Sequence, residues 1–154
     1  MDEQVNKINI NFYNITSNFN DILLRLCNKI VYSEDNFYIN FQQKESKVDA
    51  DKYLWTREKN NFLPHKLYGE DISKRDKIIL FEGNYEEINR LNRFQSLIVS
   101  PCVKINKFKF FKKFLLFSYS KNKEFYLNVK NKLNNNCFSV KCYDEFSPFK
   151  WKQL

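Results

Sequence analysis

Only two glycines and three prolines interrupt these 154 residues, so flexible linkers and low-complexity tracts are excluded. The glycine shortage also excludes a familiar nucleotide site, which needs a glycine-rich turn to let the backbone approach phosphate. Gly69 and Gly83 are the only candidates, and neither lies in GxGxxG or GxxxxGK[ST]. No apolar run approaches the roughly 20 residues that a membrane-spanning helix requires. The longest cluster, around Phe110 to Phe117, is broken by Lys112 and Lys113. The opening MDEQVNKINI is acidic and lacks the apolar stretch of a signal peptide. Cys27, Cys102, Cys137 and Cys142 are scattered, and reduced thiols in a cytoplasmic protein are the expectation.

Catalytic constellations are equally scarce. His65 is the sole histidine and follows Pro64. A general base needs a nucleophile and an orienting group, whereas a loop histidine after proline reads as a turn residue whose ring satisfies a backbone group. Cys137 and Cys142 lie five apart in a strand-like stretch, with no second Cys/His pair to complete four metal ligands. Asp49/Asp51 and Glu86/Glu87 fall on solvated segments, without the marks of an acid–base pair. No catalytic, metal-binding or cofactor-binding residue is expected.

What is present is a well-stocked core: 43% of residues are hydrophobic and 18% aromatic, enough for one domain covering residues 1–154. Charge is split along the chain. Residues 1–100 carry 14 Lys/Arg against 15 Asp/Glu, and residues 101–154 carry 12 Lys against Glu124, Asp144 and Glu145. The last third is therefore +9, a field that attracts nucleic acid, anionic lipid or an acidic peptide.

Strand-like runs are Ile8 to Tyr13, Phe37 to Phe41, Lys77 to Phe81, Gln95 to Ser100 and Phe138 to Tyr143. Helical spacing predicts Asn18 to Tyr32, a second helix from Ser46 to about Trp55, a third from Phe108 to about Tyr119 and a fourth from Asn122 to Asn134. In the third, Phe110, Phe114 and Phe117 would share a core-facing stripe. In the fourth, Phe125, Val129 and Leu133 would face the sheet. Strand–helix alternation predicts an α/β layered sheet of mostly parallel strands. The interleaved lysines and aromatics from Lys104 to Phe125 fit either a basic surface over a core or a nucleic-acid channel.

One stretch is more specific. Leu54-Trp55, six spacer residues, Phe62-Leu63-Pro64-His65, then Leu67 and Gly69-Glu70, resemble the LW…F[LV]PH.L.GE segment of the chi subunit of bacterial DNA polymerase III. Weaker likeness extends over most of the chain, to Trp151-Lys152. The resemblance implies a single three-layer, Rossmann-like α/β domain with helices on both faces of a mostly parallel sheet, no nucleotide binding and no enzymatic activity.

It also implies a replisome adaptor with two faces. One, built on Trp55 and Phe62 with Leu54, Leu63, Pro64 and His65 shaping the loop, would meet a psi-type clamp-loader subunit or a substitute such as a helicase. The alternative is that Trp55 plugs its own helix into the core. The other face would bind the acidic C-terminal tail of single-stranded DNA-binding protein, so that contact with DNA is indirect. The family pattern there is an Arg, an aromatic–Lys pair one turn on, another basic residue and a Gly. This chain has Tyr126, Val129-Lys130, Leu133 and Asn136 in those places, so only Lys130 is carried over. Lys121, Lys123 and Lys132 stand nearby to supply charge. The competing reading is a direct single-stranded nucleic-acid binder using the basic, aromatic-rich C-terminal third.

Overall fold

Strand β1 (Ile8–Asn14) lies inside the sheet and alternates between its two faces, with Ile10 and Phe12 on one and Tyr13 on the other, and Ile15, just beyond it, is buried. The structure is a computed structural model and describes residues 7–57, 64–119, 123–133 and 137–154. Helix α1 (Phe19–Val31) follows because Ile22, Leu23, Cys27 and Ile30 recur on one face, all buried. Its start is doubly capped: the Asn18 side chain accepts from the Asn20 N–H at 2.9 Å, and the Phe19 N–H donates to the Tyr119 hydroxyl at 2.7 Å. Next come β2 (Phe37–Phe41), α2 (Lys44–Arg57), β3 (His65–Leu67), β4 (Ile78–Glu82), β5 (Ser96–Val99), β6 (Lys113–Ser118), α3 (Lys123–Lys132), β7 (Phe138–Ser147) and β8 (Lys150–Gln153).

The strands form one sheet in the order β3-β4-β2-β5-β6-β1-β7-β8. Every neighbouring pair is parallel except the β7–β8 hairpin. Because side chains alternate across a strand, each strand supplies two cores. Ile39, Ile78, Leu80, Ile98, Leu115 and Phe117 point to the face where α1 and α2 lie. Tyr38, Ile79, Phe81, Leu97, Phe114 and Leu116 point to the other, where Tyr126 and Val129 of α3 pack. All five residues of β2 are buried, as a central strand covered on both sides requires. The expected three-layer α/β architecture is therefore the one found.

The second face departs from expectation. The helix read over Phe108 to Tyr119 is absent: residues 101–112 run as an irregular strap across the sheet, and β6 begins at Lys113. Along the strap Ile105, Phe108 and Phe111 are buried and Lys104, Lys107 and Phe110 exposed, a repeat of three residues. That period matches neither helix nor strand, and it resembles an extended chain with three residues per turn. Phe114 and Phe117 do lie in the core, but on opposite faces of β6, while Phe110 is 53% exposed. Two short strands, β3 and β8, were not foreseen.

The β7–β8 hairpin is bolted to the β1–α1 loop by Glu145, only 4% exposed. Its carboxylate accepts from the N–H groups of Thr16 (2.7 Å), Ser17 (2.8 Å) and Phe149 (2.8 Å) and from the Ser17 hydroxyl (2.7 Å). Burial alone would raise its pKa, but these donors outweigh that and hold it down at about 2. Phe149, at φ 62°, turns the hairpin, and the Arg25 guanidinium sits 3.8 Å over its ring.

Candidate docking surfaces

The LWTREKNNFLPH stretch crosses from α2 into β3. On α2, Ala50 and Leu54 are one turn apart and fully packed, at 0% and 2% exposure, so Leu54 is core and closed to a partner. The neighbouring stripe, Asp51 and Trp55, looks toward β3. His65 was expected to shape a turn and satisfy a backbone group; instead it opens β3, is 1% exposed, and sets Nε2 2.9 Å from Oδ1 of Asp51. The Trp55 ring rests on the imidazole, with centroids 4.7 Å apart, yet 49% of the residue is exposed. Trp55 is thus not the core plug that the rival reading envisaged. A large apolar ring is held outward on a buried polar prop. Pro64 is partly buried beside it, whereas Phe62 and Leu63 lie outside the described residues.

The end of the motif also has a structural cause. The Leu67 N–H donates to Oε1 of Glu70 at 2.6 Å, and the Glu70 N–H returns to the Leu67 carbonyl at 3.1 Å. Gly69, at φ 100°, makes that tight turn possible without strain. β3 is an edge strand, and this turn occupies backbone groups of Leu67 that would otherwise invite another strand. Of the residues at this edge, Asp51 was missed; the signal was its spacing of four from Trp55 on a helix.

The second surface is built on α3. Its inward stripe is Tyr126, Val129 and Leu133 rather than Phe125, Val129 and Leu133. Phe125 is 38% exposed and meets Phe12 edge-on at 5.6 Å. Lys130 and Lys132 are exposed, with the Lys130 ammonium 5.8 Å over the Tyr126 ring. Lys123 begins the helix, but its side chain, like all of Lys121, lies outside the described residues. Beside the helix opens a cleft of about 550 Å³, lined by Phe12, Leu116, Tyr119 and Phe125 with Lys104 on its rim. The elements thus bring an apolar recess next to Lys104, and Lys130 and Lys132 are exposed farther along α3. Phe12 was not singled out in the sequence, and Tyr126 only as the residue in the place of the family's Arg, although the three-residue step from Tyr126 to Val129 was a signal for its burial.

Neither surface gathers metal-binding chemistry: among the described residues there is no group of three His, Cys, Asp or Glu placed to hold a metal ion. No helix among them is long and apolar enough to cross a membrane. A family model described as "DNA polymerase III chi subunit, HolC" matches residues 8–124 of the 154. The match runs from the start of β1 through Trp55, His65 and the strap to the first turn of α3. Lys130 and Lys132 fall beyond it. No curated protein matches the chain.

Proposed function

This chain belongs to the family of DNA polymerase III chi subunits, an accessory subunit of that assembly, and on this footing we propose that it is a non-catalytic, cytoplasmic adaptor. All 154 residues act as one chi-like unit. One surface docks on the clamp loader through a psi-type subunit or a substitute such as a helicase. The other holds the acidic C-terminal tail of single-stranded DNA-binding protein.

The observation that carries the reading is Trp55. Exposed tryptophans are rare in isolated domains but are preferred anchors at interfaces, because a rigid ring gains much area for little entropy. Here the ring is pre-positioned by His65, itself fixed by Asp51, so little order remains to be imposed on binding. Pro64 belongs to the same surface, Phe62 and Leu63 are assigned to it from the sequence motif alone, and Leu54 secures α2 from below. For the tail, Lys130 and Lys132 supply charge with help from Lys121 and Lys123, and the recess at Phe125 takes the terminal apolar side chain.

Two variants test the two surfaces separately. Trp55→Ala should abolish pull-down of the clamp-loader component while the protein stays folded, and full retention of that partner would remove the edge from the proposal. Lys130→Glu should weaken an acidic peptide ending in Pro-Phe about tenfold by calorimetry, the scale of one charge-assisted contact. An unchanged affinity would dissociate α3 from tail binding.

A further inference from the structure

The strap offers a surface that the adaptor reading leaves unused. Its buried residues explain why it adheres to the sheet, but not the row that it turns outward. Lys107, Phe110 and Lys112 are all exposed, and Lys109 stands between them with its ammonium 5.0 Å over the Phe110 ring. From Ser100 to Lys123 the chain contains no acidic residue. One carboxylate reaches the row from outside: Glu86, 3.0 Å from Lys109. Among the described residues neither Lys107 nor Lys112 has an acidic partner within salt-bridge distance.

Phe110 is the telling residue. Its φ of 72° lies in the left-handed region, which a bulky side chain avoids. Such strain persists only where the surrounding structure imposes it, and here it turns a large ring toward solvent instead of into the core. The ring leans edge-on against Tyr85 at 6.4 Å, and the Tyr85 hydroxyl in turn donates to the Lys107 carbonyl, so the platform is braced from beneath. An aromatic face flanked by lysines suits a nucleobase and its phosphates. An acidic peptide ending in a single ring, which the recess beside α3 would take, has charges for the lysines but no second π-face for Phe110, whereas a single strand carries a base beside every phosphate.

A second feature lies at the upper end of the strap. Lys104, Lys107 and Tyr85 line a cleft of about 630 Å³ that also includes Asn40, Gly83 and Asn84. It sits beyond the C-terminal ends of β2 and β4, the side of a parallel sheet where ligands usually enter. Asn40 is 1% exposed, and its Oδ1 has no hydrogen-bond donor among the described residues. A buried acceptor without a donor carries a desolvation cost that a ligand N–H can remove. Every nucleobase has such an N–H on its edge.

We propose that the strap is a direct contact for single-stranded nucleic acid, with a base stacked on Phe110, phosphates on Lys107 and Lys112, and a neighbouring base directed to the Asn40 cleft. The contact is centred on Lys107, Phe110 and Lys112, of which none lines the recess beside α3, while Lys104 borders both clefts. It gives an adaptor that tracks a protein-coated strand a grip on the strand itself.

The test is fluorescence anisotropy of a labelled oligothymidylate with the full chain, titrated between about 50 and 200 mM salt. The wild type should bind at low salt and lose affinity as salt rises. Lys107→Glu combined with Lys112→Glu should cost at least about tenfold and flatten the salt dependence. Phe110→Gly should cost about tenfold, the scale of one lost base stack, and glycine accepts the existing φ, so the variant folds. Tail-peptide affinity should be unchanged in both variants, which separates this contact from the adaptor reading. Absence of oligonucleotide binding by the wild type would overturn the proposal. So would full retention of binding by Phe110→Gly, or equal affinity for polyglutamate, since either marks the strap as an unspecific positive surface.

Discussion

The two faces of this sheet are covered by different means. On one, α1 presents a regular apolar stripe and α2 adds Ala50 and Leu54, and the core between them and the sheet is mostly aliphatic. On the other, a single helix and an irregular strap bring in aromatics: Phe108, Phe111 and Phe114 pack edge-on, with Tyr85 beside them. Helices bury side chains and satisfy their own backbone, so the first face needs little from outside. A strap cannot do the latter, and it relies on borrowed bonds. Tyr85 bridges Lys107 and Lys109, and the Lys112 N–H donates to the Gln95 carbonyl at 2.8 Å. The cover that is less regular is also the one that carries the lysines.

The largest expected effect tests whether the strap packs as firmly as the helices. Phe111, 3% exposed and in contact with Tyr38, Tyr85 and Phe114, should cost about 3–5 kcal/mol when replaced by alanine, measured by urea denaturation. Leu23→Ala, on the helical face at 0% exposure, should fall in a similar range of about 2–5 kcal/mol. A loss below about 1 kcal/mol for Phe111 would mean that the strap is a loose cover and that the two faces are not comparable.

The same contrast explains what could be read beforehand. β2 was anticipated to the residue because FYINF is an apolar run of strand length, and α1 because its stripe keeps a period near 3.6. The strap was read as helix because Phe110, Phe114 and Phe117 fall at helical spacing by coincidence. Its inward residues, Ile105, Phe108 and Phe111, keep a different period. β3 and β8 are too short to show a pattern, and β3 depends on the turn made by Gly69 and Glu70. At the docking edge Trp55 was visible by its type. The Asp51–His65 pair beneath it was not, since only the fold brings residues fourteen apart to 2.9 Å.

The next effect separates the faces by pH. Glu145 secures the hairpin whose Phe149 and Trp151 pack against the helix-covered core. Its pKa in the folded state, about 2, lies below the ordinary carboxylate value of 4.5. A depressed carboxylate stabilises the fold fully above its unfolded pKa and loses that contribution as pH falls toward the folded one. At about 1.4 kcal/mol per pKa unit the contribution is about 3 kcal/mol at neutral pH. Glu145→Gln should therefore cost about that much at pH 7, with the gap to the wild type closing between about pH 4.5 and pH 2. A gap that stays constant with pH would show that the bonds matter for geometry and not for charge.

The smallest effects concern the two exposed rings, one on each cover. Trp55 sits on a relaxed helix and leans on a buried imidazole, so Trp55→Ala loses one ring contact of about 1 kcal/mol, partly offset by the better helix propensity of alanine. Phe110 is held by a backbone that its own side chain disfavours. Phe110→Gly removes that strain, worth about 1–2 kcal/mol, and loses the edge contact with Tyr85 and the Lys109 ammonium over the ring, together with some unfolded-state entropy. Thermal unfolding should thus show a small loss for Trp55→Ala and none for Phe110→Gly. If Phe110→Gly costs more than about 1 kcal/mol, the ring is serving the strap's own packing. Where it costs nothing, the strain at Phe110 is maintained for something outside the fold, because folding alone would favour glycine there.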